Sequence, residues 1–323
     1  MQRRDFLASG LASGAAAAGA LPRAARAAAS AAPPFLVDQW LNAAAPLDAA
    51  ALRGKVGVVN FWTYSCINVL RTLPYLKRWN EEYAPAGLRL VGIHTPEFAF
   101  ERLRPNVEHA VREFGIRYPV GQDNGYRTWR AWGNQAWPSF YLLDRDARVV
   151  AVREGEGHAV EMEQTIRNLL GLSPQFASRR PPDDADLSGI RSPELYFGAL
   201  RPTPQEAAQS PRKGEGTYSF SEAGPMLNRY ELDGRWLRED EALVLRSDRG
   251  RLRMRFSAAK LHFVAEAPGG APVRVRSGAG ASREVLIGRP ALYTIVDGDT
   301  YAEQMVEVEA GSPGLALYSA TFG

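Results

Sequence analysis

The residue in this sequence best suited to chemistry is Cys66, the single cysteine among 323 residues. An apolar run that begins at Val56 leads to Trp62, and a helical pattern begins at the cysteine that follows. A Cys-x-x-Cys redox site lies in the turn between a strand and a helix, as this cysteine does in the predicted pattern. Val69 occupies the place of the second cysteine. The sequence therefore keeps the attacking sulfur and lacks the resolving one.

A lone sulfur at a helix start can carry out the first half of disulfide exchange. The thiolate is the nucleophile in disulfide exchange and in peroxide reduction. Free backbone N–H groups and the helix dipole stabilise an anion at a helix N-terminus. We therefore expect the pKa of Cys66 to lie below about 8.5, the value of a free thiol. Attack on a disulfide would give a mixed disulfide, and its release would need an external thiol because Val69 has no sulfur.

Alternating strand and helix patterns predict the elements that position Cys66. Apolar and β-branched runs predict strands, and apolar residues at helical spacing predict helices. The predicted strands cover residues 55–61, 88–93, 140–143 and 149–152, and the predicted helices cover 66–83, 106–114, 126–132 and 162–170. Strands that alternate with helices predict an α/β sandwich with a partly parallel sheet. We expect this domain to cover residues 33–172.

The second half of the chain has a different composition. A proline-rich stretch without periodicity, residues 173–190, is interpreted as a linker. Short strand-like runs follow, separated by turns rich in glycine and proline, at 242–246, 252–256, 261–266, 273–276, 284–287, 292–296, 305–308 and 314–320. Regularly spaced short strands predict an all-β, jelly-roll-type sandwich over residues 191–323.

The N-terminal segment predicts export. Arg3 and Arg4 form a twin-arginine start, and a run rich in alanine and glycine follows, with several small-residue cleavage sites between Ala25 and Ala32. We therefore expect residues 1–32 to be a twin-arginine signal peptide and the mature protein to be periplasmic or secreted. Outside this leader the basic and acidic residues balance. That balance argues against nucleic acid as a partner.

Several further motifs resemble one known family. They are Trp62 before the cysteine, Pro74 in the helix after it, the pair Trp137-Pro138 before a strand, and the segments 93–98, 123–126 and 192–196. With these motifs, residues 37–323 resemble the exported C-terminal part of DipZ-type cytochrome c biogenesis proteins. In that part a thioredoxin-like domain precedes a β sandwich similar to a carbohydrate-binding module. The sequence departs from the family in two ways: the membrane electron-transfer part is not represented, and the Cys-x-x-Cys motif reads Cys66-Ile67-Asn68-Val69.

The resemblance implies a set of residues around the sulfur of Cys66. Pro138 is expected to be a cis-proline that faces the sulfur, and Trp62 and Pro138 are expected to frame it. Trp137 is expected to offer backbone hydrogen bonds to an extended substrate. Core packing is the structural alternative for Trp62, and a buried small apolar side chain is the alternative for Cys66.

Other side chains give weaker signals. Glu97 and His94 lie on a loop at a strand end, where either could accept the proton of Cys66 or be a solvated or capping residue. The four histidines are scattered without metal-ligand spacing, so no metal or cofactor is expected. Four aromatic residues of the second domain could form a glycan platform or belong to its core: Tyr230, Trp236, Tyr293 and Tyr301.

Three functions are compatible with these observations. The first is a monothiol-type thiol–disulfide oxidoreductase that uses Cys66 as nucleophile and an external resolving thiol. The second is a non-catalytic binding module that recognises protein segments or glycans, and the third is peroxide or sulfenic acid chemistry at Cys66. The partners expected for the first function are protein thiols or disulfides, a low-molecular-weight thiol such as glutathione, and a membrane electron donor.

Overall fold

The computed structural model describes residues 30–173, 187–201, 212–278 and 282–323. The predicted leader lies outside these residues except for its last three positions. Most of the predicted linker, residues 174–186, also lies outside them. No helix within the described ranges is long and apolar enough to cross a membrane.

The first domain is built on a mixed sheet of seven strands. The strands are β1 (Ser30–Ala31), β2 (Gln39–Leu41), β3 (Val56–Trp62), β4 (Leu88–His94), β5 (Val120–Gln122), β6 (Ser139–Leu143) and β7 (Arg148–Glu154), in the spatial order β1-β7-β6-β3-β4-β5-β2. Strand β3 pairs in parallel with β4, which pairs in parallel with β5, and the other pairs are antiparallel. The predicted α/β fold with a partly parallel sheet is confirmed.

In the described part of the chain, five α-helices accompany this sheet. They are α1 (Ile67–Leu70), α2 (Leu73–Tyr83), α3 (Arg104–Glu113), α4 (Arg127–Ala131) and α5 (Ala159–Leu170). All seven residues of the central strand β3 are buried, which explains why all of them except Asn60 are apolar. The single helix predicted over 66–83 is two helices, and Pro74 lies in the first turn of the second. Proline has no N–H to donate, so it is tolerated in a first turn and disfavoured inside a helix.

The second domain is all-β, as predicted. Its strands are β8 (Leu195–Tyr196), β9 (Gly214–Tyr218), β10 (Arg229–Arg238), β11 (Leu243–Leu245), β12 (Gly250–Glu266), β13 (Ala271–Ser277), β14 (Arg283–Ile287), β15 (Ala291–Ala310) and β16 (Ala316–Phe322). Two pairs of predicted short strands are each one long strand, β12 and β15. The first half of β12 pairs with β10 and its second half with β16, so the sheet folds over its own core.

The two domains contact each other close to Cys66. The rings of Phe98 and Phe100, which follow β4, pack on Tyr318 of β16 with centroid separations of 5.3 and 4.7 Å. Arg71, which follows α1, donates to the carbonyl oxygen of Phe322 at 2.9 Å. The second domain therefore covers part of the face that carries the cysteine.

Candidate functional site

Cys66 lies between the end of β3 and the start of α1. It occupies the N-cap position in an extended conformation, and its carbonyl oxygen accepts the N–H of Leu70 at 3.0 Å. The cysteine is unpaired and partly buried. Cys66 therefore lies in a turn between a strand and a helix, as the sequence predicts.

The electrostatic surroundings of Cys66 differ from the prediction. Burial, followed by the negative charges of Glu97 and Glu194, raises the pKa of the Cys66 thiol well above its ordinary value. The N–H groups at the start of α1 act in the opposite direction, but their effect is smaller. The expected pKa below that of a free thiol is therefore wrong. A helix of four residues has a small dipole, whereas two carboxylates and desolvation act directly on the sulfur.

Val69, at the position of the missing cysteine, is fully buried in the core of the first domain. Its side chain packs with the apolar residues under α1 and α2. At the position where the Cys-x-x-Cys motif has its second cysteine, this chain therefore has an apolar side chain that packs in the core. Because the sequence holds one cysteine, this chain offers Cys66 no second thiol.

The peptide bond between Trp137 and Pro138 is cis, as the resemblance implies. It precedes β6, the strand that pairs with β3. The Trp137 ring is partly buried and lies 4.5 Å from the ring of Trp129. Trp62 is completely buried, so its side chain packs in the core behind the turn. The packing alternative therefore describes the observed environment of Trp62.

His94 is the last residue of β4, and its ring is completely buried. The ring lies edge-on to Trp62 at 5.0 Å and stacks on Tyr64 at 5.8 Å. Burial lowers the pKa of His94 to about 3, so the imidazole is neutral near pH 7. Neither ring nitrogen has a hydrogen-bond partner among the described residues.

Glu97 of the first domain bonds to two residues of the second domain. Its side chain is only 7% exposed and pairs with Arg201, whose Nη1 lies 2.8 Å from Glu97 Oε1. The hydroxyl of Tyr196 donates to the same oxygen at 2.8 Å. The alternative of a solvated Glu97 is excluded by this burial.

Glu101 is a residue of the site that sequence reasoning missed. Its carboxylate accepts hydrogen bonds from the N–H and hydroxyl of Ser65, at 3.2 and 2.7 Å, and from the N–H groups of Glu97 and Phe98, at 2.6 and 3.1 Å. It therefore ties the turn before Cys66 to the loop after β4. The single sequence signal is its place three residues after Phe98, where a glutamate can cap a helical turn.

Glu194 is a second missed residue. It precedes β8 and is exposed to solvent. The hydroxyl of Tyr196 lies 3.1 Å from its Oε2. Carboxylates from both domains, Glu97 and Glu194, thus act on the thiol of Cys66.

A groove of about 360 Å³ runs beside α1 at the domain boundary. It is lined by Ile67, Arg71, Ala259, Lys260, His262, Gly298, Asp299, Tyr301 and Gly323. Of the four aromatic residues that could form a glycan platform or belong to the core, Tyr301 lines this groove. Tyr230 and Trp236 are buried in the core, which is the packing alternative for these residues. The described ranges contain no cluster of side chains suited to hold a metal ion.

Comparisons with known proteins agree with this architecture. The Redoxin family model matches residues 27–170, and the model described as Thioredoxin like C-terminal domain matches residues 192–323. Protein DipZ of Mycobacterium tuberculosis is 32% identical over 297 residues, which are 89% of this chain and 42% of that protein. The chain therefore spans less than half the length of DipZ.

Shorter matches cover the first domain. Thiol-disulfide oxidoreductase ResA of Bacillus anthracis is 25% identical over 118 residues, 36% of this chain and 65% of that protein. The crystal structure of a thioredoxin-like superfamily protein is 26% identical and covers 45% of this chain and 99% of its own, with a TM-score of 0.42. The chain thus matches the Redoxin model in its first domain and the model described as Thioredoxin like C-terminal domain in its second, and the resemblance to DipZ-type proteins that its motifs predicted is confirmed.

Proposed function

We propose that this protein is an exported monothiol-type thiol–disulfide oxidoreductase with Cys66 as its nucleophile. The observation that carries the proposal is the position of Cys66, at the N-cap of α1 directly after the central strand β3. The similarity of the first domain to ResA, which is named as a thiol-disulfide oxidoreductase, supports the same chemistry.

The reaction begins with removal of the thiol proton, because the raised pKa leaves Cys66 mostly protonated near pH 7. We assign the role of proton acceptor to Glu97. Both of its side-chain hydrogen bonds end on Oε1, and within the described residues none ends on Oε2. Oε2 is therefore the oxygen available to take the proton.

The thiolate then attacks one sulfur of a disulfide. A bond forms between Cys66 Sγ and that sulfur, the disulfide bond breaks, and the leaving thiolate takes up a proton. An external thiol attacks the mixed disulfide, releases Cys66 as a thiolate and leaves as the new disulfide. Trp137 and Pro138 would contact an extended substrate next to the sulfur. The thiol donor would be glutathione, a protein thiol or a membrane-bound donor.

Intact mass after incubation with oxidised glutathione tests the proposal. A single glutathione adduct on the parent, absent from Cys66→Ser and removed by added thiol, would support it. The same measurement after peroxide treatment separates the third candidate, since sulfenic acid formation adds one oxygen and no glutathione.

One observation favours a non-catalytic binding module instead. Burial and the negative charges of Glu97 and Glu194 both disfavour the thiolate form of Cys66. In that case the first domain would recognise an extended segment without covalent chemistry, and the glutathione adduct would not form at any pH.

A further inference from the structure

A short segment of the second domain reaches the loop that follows β4. Tyr196 ends β8, and Arg201 follows five residues later. Tyr196 Oη and Arg201 Nη1 each donate to Glu97 Oε1 at 2.8 Å. Arg201 Nη2 also donates to the Glu97 carbonyl oxygen at 3.1 Å. We call Glu97, Tyr196 and Arg201 the interdomain cluster.

Aromatic rings hold the cation of this cluster in place. The Arg201 guanidinium lies 5.0 Å from the ring centroid of Phe98 and 4.3 Å from that of Tyr196. Stacking on ring faces is attractive for guanidinium groups and fixes the plane of the side chain. Because the Glu97 side chain is 7% exposed, the pair is shielded from solvent more than a surface ion pair.

The cation of this cluster pairs with a carboxylate that acts on the thiol of Cys66. Glu97 from the loop after β4 and Glu194 from the second domain act on Cys66 with negative charge. Glu101, which packs beneath the same loop, adds a third carboxyl group next to Glu97. On the α1 side Arg71 is already paired with Glu156 at 2.9 Å. Among the described residues, Arg201 pairs directly with Glu97, one of the two carboxylates that act on the thiol.

We propose that Tyr196 and Arg201 are positioning residues for the thiol site, because they fix the Glu97 carboxylate and compensate its charge beside Cys66. The inference rests on the proposed function and adds that the second domain is a working part of the site. Both residues act through Glu97 and do not contact the substrate.

The pH dependence of Cys66 alkylation by iodoacetamide, measured on the full chain, tests this proposal. Arg201→Gln removes the cation and leaves both carboxylates, so the thiolate becomes less favourable. We expect the midpoint to move about one unit to higher pH and the rate at pH 8 to fall about tenfold. Tyr196→Phe keeps the ring and loses the hydroxyl, so its shift has the same direction and is smaller. Glu97→Gln moves the midpoint to lower pH.

Two further variants separate this role from simple packing. Arg201→Lys keeps the charge, so its midpoint should return most of the way to that of the parent. In the Glu97→Gln background, Arg201→Gln should shift the midpoint by less than half of its shift in the parent, because the residue acts through Glu97. A merely structural role would give the same change in both backgrounds.

Tyr318→Phe is the matched control. Tyr318 packs on Phe98 in the same interface, but its hydroxyl bonds to Glu266 and not to Glu97. The pH midpoint of Cys66 alkylation in Tyr318→Phe should therefore equal that of the parent. Unchanged midpoints for folded Tyr196→Phe and Arg201→Gln would overturn the proposal, and Tyr196→Phe alone decides if Arg201→Gln does not fold. Failure of the parent to form a glutathione adduct would reject the proposed function, whereas the alkylation midpoints would still report on the cluster.

Discussion

Glu101 accepts hydrogen bonds from both the backbone N–H and the hydroxyl of Ser65, the residue that precedes Cys66. The contact joins residues 36 positions apart and links the cysteine turn to the loop that carries Glu97. The geometry of the turn therefore depends on one buried carboxyl group.

Glu101 makes stability depend on pH. Burial, followed by the charge of Glu97, raises its pKa from 4.5 to about 7. The folded protein then holds this proton more tightly than the unfolded chain. The contribution to stability is present at low pH and is lost as the pH rises from about 4.5 to about 7, by at most about 3 kcal/mol.

Glu101→Gln removes this titration. A glutamine has one acceptor oxygen where the glutamate has two, so some of the N–H and O–H donors that bond to Glu101 lose their partner. The variant should therefore be less stable than the parent by about 1–3 kcal/mol at pH 5. The difference should shrink as the pH rises to 8, because only the parent loses stability in this range. Urea unfolding at both pH values measures it, and a difference independent of pH would contradict the assignment.

His94 should have the opposite effect on stability. Burial lowers its pKa from 6.5 to about 3, so the unfolded chain binds the proton more readily than the folded protein. Stability is therefore lost as the pH falls from about 6.5 to about 3. His94→Phe keeps ring contacts with Trp62 and Tyr64 and should reduce the acid-induced loss of stability by up to about 5 kcal/mol. His109→Gln, on the exposed face of α3, should retain the acid sensitivity of the parent.

Val69→Cys should restore a redox pair. The two sulfurs would be one helical turn apart at a helix start, within reach of normal disulfide geometry. We expect an internal disulfide under mild oxidation and insulin reduction well above that of the parent. Val69→Ala removes the same core methyl groups without adding sulfur and should show neither. An internal disulfide without insulin reduction would instead favour the binding module.

Export is tested by replacing Arg3 and Arg4 with lysine. A twin-arginine signal should no longer be recognised, so unprocessed precursor should accumulate in the cytoplasm. Fractionation and mass measurement detect it. Normal processing of the parent in cells without the twin-arginine translocase would reject the predicted route.

The fold of the first domain was predictable because its signals are local. β3 is buried on both faces and is apolar except for Asn60, and the helices have an apolar stripe. β10 was missed because charged residues such as Glu231 and Asp233 interrupt its apolar pattern. The pattern of apolar residues within β12 likewise does not show that this strand pairs with β10, β15 and β16.

The site was predictable only in part, for a similar reason. Spacing relative to a strand indicated Cys66 and Pro138. The partners of Glu97 lie 99 and 104 residues away, in another domain, and no local pattern connects them. The predicted direction of the thiol pKa was wrong because burial, the largest cause, and the charges of Glu97 and Glu194 depend on how the two domains pack around the sulfur.

The most direct test of the central claim is the rate of glutathione adduct formation on Cys66 between pH 6 and pH 10, followed by intact mass. We predict one adduct per chain, none on Cys66→Ser, and a rate that rises about tenfold per pH unit up to a midpoint above 9. Absence of the adduct across the whole range, in a folded protein, would contradict the assignment of Cys66 as a nucleophile.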